Sequence, residues 1–149
     1  MKDRTLRNTK VQTMFFLAVV SMAVLGGCVS TPVLTETAWA FVSVGGQPVG
    51  KGDFSTQQPM FRFLPDSSQI MGYSGCNQFS GSYTQVKNVV KIGPLISTKR
   101  ACPSMDTESK IYSAFERTTT VKRDDEVLRF YSGDTIVMEC KTYPIPTKD

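Results

Sequence analysis

The chain contains no histidine. That removes the side chain most often used as general base for a serine or cysteine nucleophile, and the commonest nitrogen ligand of zinc. It has only four cysteines, Cys28, Cys76, Cys102 and Cys140, and no two of them stand in a C-x-x-C pair. A zinc knuckle or a thioredoxin-type redox centre is therefore not supported. No apolar run reaches the roughly 20 residues of a comfortable membrane span. No Lys/Arg cluster stands out, which excludes nucleic acid as the expected partner. No metal, cofactor or catalytic residue is expected from what remains.

What is present begins with an unusual N-terminus. Lys2, Arg4, Arg7 and Lys10 precede a short, mostly apolar stretch from Val11 to Val24, which ends in Leu25-Gly26-Gly27-Cys28. Basic start, apolar middle and small residues before a cut are the layout of a secretory signal peptide. The run 25–28 resembles the lipobox of bacterial lipoproteins. The resemblance implies that Cys28 receives a diacylglyceryl group, that residues 1–27 are removed, and that the new amine is acylated. More than one acyl chain makes a durable anchor. Val29, rather than Asp, follows the cysteine. By similarity to enteric lipoproteins this favours the outer membrane, with the domain on its periplasmic face. Of the 17 basic residues four precede Cys28, and of the 13 acids one does, so the remainder is close to neutral.

Residues 28–36 read as a lipidated tether, 37–143 as one domain and 144–149 as a tail. Short alternating segments at Ala38–Val44, Met60–Leu64, Gln69–Tyr73, Ser80–Gln85, Val89–Ile92, Glu126–Tyr131 and Thr135–Cys140 are expected strands. Pro103–Thr118 is the expected helix. Ser104 or Asp106 suits its cap, and Ile111 and Phe115 recur at helical spacing. The fold class is therefore α+β, mostly β: an antiparallel sheet packed on one helix. Trp39, Phe41, Phe61, Phe63, Ile111, Phe115, Leu128, Phe130, Ile136 and Met138 are the expected core.

Three local patterns invite functional readings and lose to plainer ones. Gly45–Gly52 nearly fits a phosphate-binding loop, but Gly52 stands where Ser or Thr would hold magnesium, and no helix follows. Asp124-Asp125-Glu126 lacks the spaced ligands of a calcium loop and reads as a solvated turn. Tyr73, Phe79 and Tyr83 could line a groove, but aromatic strand residues more often pack inward.

The densest stretch runs from Gly72 to Tyr83. Gly75-Cys76-Asn77, Phe79-Ser80-Gly81-Ser82-Tyr83 and Thr98-Lys99-Arg100-Ala101-Cys102 together resemble the META domain, the family of the heat-shock protein HslJ. Trp39 matches its early tryptophan strand, while Glu108, Tyr112 and Phe115 fit its helix. The resemblance covers about Thr37 to Cys140. It implies a sheet curled around a helix, an envelope location, and associations with heat shock, novobiocin resistance or motility, without an established reaction. Cys76 and Cys102 both lie in loop-like family motifs, whereas Cys140 shares a strand face with Ile136 and Met138. The expected disulfide is therefore Cys76–Cys102, with three reduced thiols as the competing outcome.

The function expected on these grounds is that of a lipid-anchored, non-enzymatic envelope protein. It would support envelope integrity or stress tolerance by binding an unidentified envelope protein or ligand. The alternative is a pilotin-like chaperone or a lipoprotein inhibitor of a hydrolase.

Overall fold

The computed structural model describes residues 31–35, 37–50, 57–102 and 105–144. The expected signal peptide, the expected lipidation site Cys28, the cap candidate Ser104 and the end of the tail lie outside the described residues. In chain order the elements are β1 (Ala38–Val44), β2 (Gln47–Pro48), β3 (Met60–Leu64), β4 (Gln69–Tyr73), β5 (Gln78–Val86), β6 (Val89–Ile92), β7 (Ile96–Ser97), α1 (Met105–Arg117), β8 (Thr120–Asp124), β9 (Val127–Ser132) and β10 (Thr135–Tyr143). Among the described residues no helix is long and apolar enough to cross a membrane.

The sheet is antiparallel and runs β10-β9-β8-β6-β5-β4-β3-β1-β2, with β7 beside β5. β1 also pairs with β10, along Ala38↔Tyr143 to Val44↔Met138. The curved sheet thereby closes on itself. Its weakest join is between β6 and β8, where the ladder is reduced to Val89↔Thr120. Two flanking backbone hydrogen bonds support it, Val90 N to Thr119 O (3.2 Å) and Val121 N to Asn88 O (2.8 Å).

The period-2 alternation of the strands decides what the closed sheet contains. Trp39, Phe41, Phe61, Phe63, Ile70, Val90, Leu128 and Phe130 all point inward and are buried. Phe115 of α1 enters among them, with ring centroids 5.2 Å from Phe61, 5.8 Å from Phe79, 5.8 Å from Phe130 and 6.0 Å from Phe41. Edge-to-face packing of this kind adds to plain area burial. Gly72 stands opposite Phe61 and Phe79 in the two neighbouring strands. A Cβ there would collide with the Met60 carbonyl, Phe61 Cβ and the Phe79 ring.

Ile136 departs from the expected core: it is 45% exposed, and Val137 is buried in its place. The cause is a bulge in the β9–β10 ladder between Ile136 and Met138. One extra residue there resets which side chains face inward. Asp106 lies inside the first turn of α1 and pairs with Lys110 (2.9 Å) rather than standing before the helix as a cap. Packing also extends upstream of Thr37. Leu34 is buried, and its carbonyl accepts from Trp39 Nε1 at 3.1 Å.

Candidate functional site

The β4–β5 connection, Ser74-Gly75-Cys76-Asn77, is where the described polar chemistry converges. Gly75 has φ of +105°, a conformation open to glycine and strained for other residues. The turn is held by Ser74 N donating to Asn77 O (2.9 Å) and by the Tyr73 hydroxyl donating to Gly75 O (2.6 Å). Cys76 is joined to Cys102 by a disulfide with Cα atoms 5.8 Å apart. The bridge ties this turn to the segment that leads into α1. Cys140 is a free, buried thiol on β10. Burial pushes its pKa well above the ordinary thiol value, and neighbouring Glu139 adds to the shift.

Asn77 is the hub. Its Oδ1 accepts from Thr98 Oγ1 (2.8 Å) and from Arg100 N (2.7 Å). Its Nδ2 donates to Glu108 Oε1 (3.0 Å) and to Arg100 O (3.2 Å). Glu108 projects from the first turn of α1 into this corner and also accepts from Asn77 N (3.1 Å) and from the Ser74 hydroxyl. Ser74, Asn77 and Glu108 are all buried. Thr98 Oγ1 in turn accepts from Gln78 N (3.2 Å). The Tyr112 hydroxyl lies buried beside this cluster without a well-formed hydrogen bond. Desolvation raises its pKa, and the nearby Ser74 and Ser97 hydroxyls partly offset the rise.

The arrangement is a clasp. Cys76 is oxidised and so is not a thiolate, and Ser74 is enclosed by Asn77 and Glu108, out of reach of a substrate carbonyl. Beside the clasp, on the outer face of β3, β4 and β5 and bounded by β7, runs an open groove of about 540 Å³. Met60, Arg62, Met71, Tyr73, Gln78 and Ile96 line it. Ile96 is 73% exposed.

Gly75, Cys76, Asn77, Thr98, Ala101 and Cys102 thus meet at one corner. The other motif residues serve packing elsewhere. Trp39 is buried near the chain entry, with the Arg123 guanidinium over its ring at 5.2 Å. Phe79 packs against Tyr112 and Tyr83 against Phe63, while Tyr73 alone of the three aromatics turns outward along the groove. Gly81 leaves room for Leu95 and the Pro94 carbonyl. The sequence pattern assigns Ser74 no role and places Glu108 only on the helix. The spacing Ser74-x-x-Asn77, a side-chain oxygen and an amide bracketing a tight turn, was the available signal.

A closed antiparallel sheet around one helix, with a disulfide-pinned polar corner, defines a small α+β scaffold. The model of the META domain family matches residues 32–142, and the chain belongs to that family. Two solved solution structures share the fold. One, of a protein from Burkholderia xenovorans, has a TM-score of 0.59 and 19% identity over 74% of this chain and 83% of that one. The other has a TM-score of 0.58 and 21% identity over 72% of this chain and 90% of that one. No curated protein matches the chain significantly.

Proposed function

We propose that this META-domain chain is a lipid-anchored, non-enzymatic protein of the cell envelope. In this reading Cys28 holds it on the periplasmic face of the outer membrane. It supports envelope integrity or stress tolerance by binding another envelope component. The observation that carries the binding reading is the outer-face groove of about 540 Å³. Its size falls among ligand-binding clefts, and it combines apolar walls with a few polar groups. The clasp lends it rigid walls through Tyr73, Gln78 and Thr98. The envelope assignment draws support from the disulfide, because such bridges persist in oxidising compartments. The same groove suits a pilotin-like chaperone that takes an extended peptide, whereas an inhibitor would work through a projecting loop.

A photoreactive side chain in place of Ile96, in the full-length protein in intact cells, is expected to cross-link one predominant envelope component. Met71→Asp should abolish that product. Cross-linking at Ile96 no stronger than at Asp134, in the β9–β10 turn, would remove the groove as the binding surface. Separately, Cys28→Ser should accumulate uncleaved precursor, and intact mass decides this. A wild-type protein with an unmodified mature N-terminus would overturn the anchor.

A further inference from the structure

The chain enters the domain at a corner whose surface is apolar without being part of the core. Val86 and Val89 stand opposite one another across the β5–β6 turn and are 71% and 51% exposed. The Gln85 side-chain amide donates both to Lys87 O in that turn and to Pro32 O, each at 2.9 Å. The hairpin tip and the incoming chain are therefore one surface. Val33, the next residue, is 47% exposed. Its carbonyl accepts from Arg123 Nη1 at 2.6 Å, and the Leu34 carbonyl accepts from Trp39. Residues 32–34 are thus fastened at three successive carbonyls, and Leu34 plugs into the core beneath them.

Cys28 and Pro32 are four Cα–Cα steps apart, with Val29, Ser30 and Thr31 between them. Even fully extended these steps span at most about 14 Å, at 3.3–3.6 Å per residue. An acylated Cys28 therefore holds this corner at the bilayer surface. We propose that the Val33, Val86 and Val89 corner rests in the lipid interface, so that the domain is docked on the membrane in a set orientation with the Cys76–Cys102 corner turned away from it. The inference rests on Cys28 being lipidated. The occupant it commits to is lipid, because a tether of this length keeps the corner close to the bilayer and leaves no room for a folded domain between. Charge is not the attraction: Lys87 and Arg123 at this end are matched by Asp124, Asp125 and Glu126 in the β8–β9 turn, where Arg123 Nε binds Asp125 O at 3.0 Å. The anchor supplies a high local concentration, so a small apolar contact suffices.

The test uses the full acylated protein in vesicles of phosphatidylethanolamine and phosphatidylglycerol. An environment-sensitive fluorophore is placed on Val86→Cys, or on Asp134→Cys in the β9–β10 turn. Cys140 is buried and Cys76 is bridged, so the added thiol is the one that labels. The expected result is a blue shift and quenching by shallow doxyl-lipids at position 86, neither at 134, and little change when the phosphatidylglycerol is omitted. Val89→Ser in the Val86→Cys background should weaken the quenching. An acylated protein, verified by intact mass, whose position-86 label is not quenched would overturn the docking and leave the anchor standing. A blue shift without quenching would assign the corner to a protein and overturn it equally. Absence of acyl groups by mass would bring down both readings.

Discussion

Asn77 uses both ends of its side-chain amide, and its bonds to Thr98, Arg100 and Glu108 join segments that are far apart in the chain. Removing Glu108 would take the buried acceptor away from one Asn77 Nδ2 hydrogen and from the Ser74 hydroxyl, while Nδ2 keeps the Arg100 carbonyl. Glu108→Ala should therefore cost about 1–3 kcal/mol for each buried donor left unsatisfied, read by urea unfolding. Glu108→Gln should recover part of this, since its carbonyl oxygen still accepts. Cys140 gives a pH signature. Its pKa is raised in the folded state, so folding keeps the thiol protonated. The associated stability is complete below the unfolded thiol's value of about 8.5 and is lost as pH rises from there through the raised folded value. Unfolding between pH 7 and 10 should show wild type losing stability more steeply than Cys140→Ala. A slope that persists in the variant would point to Tyr83 and Tyr112, whose phenols burial also raises.

At the scale of elements, α1 owes its place to Phe115, which touches four aromatic rings drawn from four strands. Phe115→Ala should cost roughly 3–5 kcal/mol in equilibrium unfolding, as large buried aromatic deletions do. Gly72→Ala should cost about 1–3 kcal/mol by overpacking, because the Met60 backbone cannot yield without breaking the β3–β4 ladder. Strands with strict alternation were legible: β1, β3, β4 and β6 have the bounds their patterns suggest. β8 was not, because Val121 is its only fully buried side chain and Lys122 and Arg123 read as loop. β2 and β7 are too short to carry any period. The bulge that turns Ile136 outward leaves no mark in composition, since Ile136, Val137 and Met138 are all apolar. Of the polar corner, the cysteines and Asn77 were visible as turn chemistry, while the Glu108 contact depends on a helix 31 residues away.

For the molecule as a whole, the Cys76–Cys102 bridge spans 26 residues and closes a loop that includes β5, β6 and β7. The double variant Cys76→Ser, Cys102→Ser should lose on the order of 3–4 kcal/mol by the chain-entropy argument. Calorimetry would show it as a lowered Tm, with the wild type under reductant moving the same way. The bridge lies on the β4–β5 side and does not cross the join between β6 and β8. Amides of Val90 and Val121, which carry that join, should exchange with deuterium sooner than those of the β1–β10 ladder. A sheet closed in this way offers a second chain only short free edges. Once the single join parts, it offers two more at once, of opposite polarity along the same strand direction. Heating this protein should therefore produce head-to-tail linear polymers rather than amorphous precipitate, growing by repeated exchange of the same β6–β8 contact between copies, and a cross-link between those strands should prevent it.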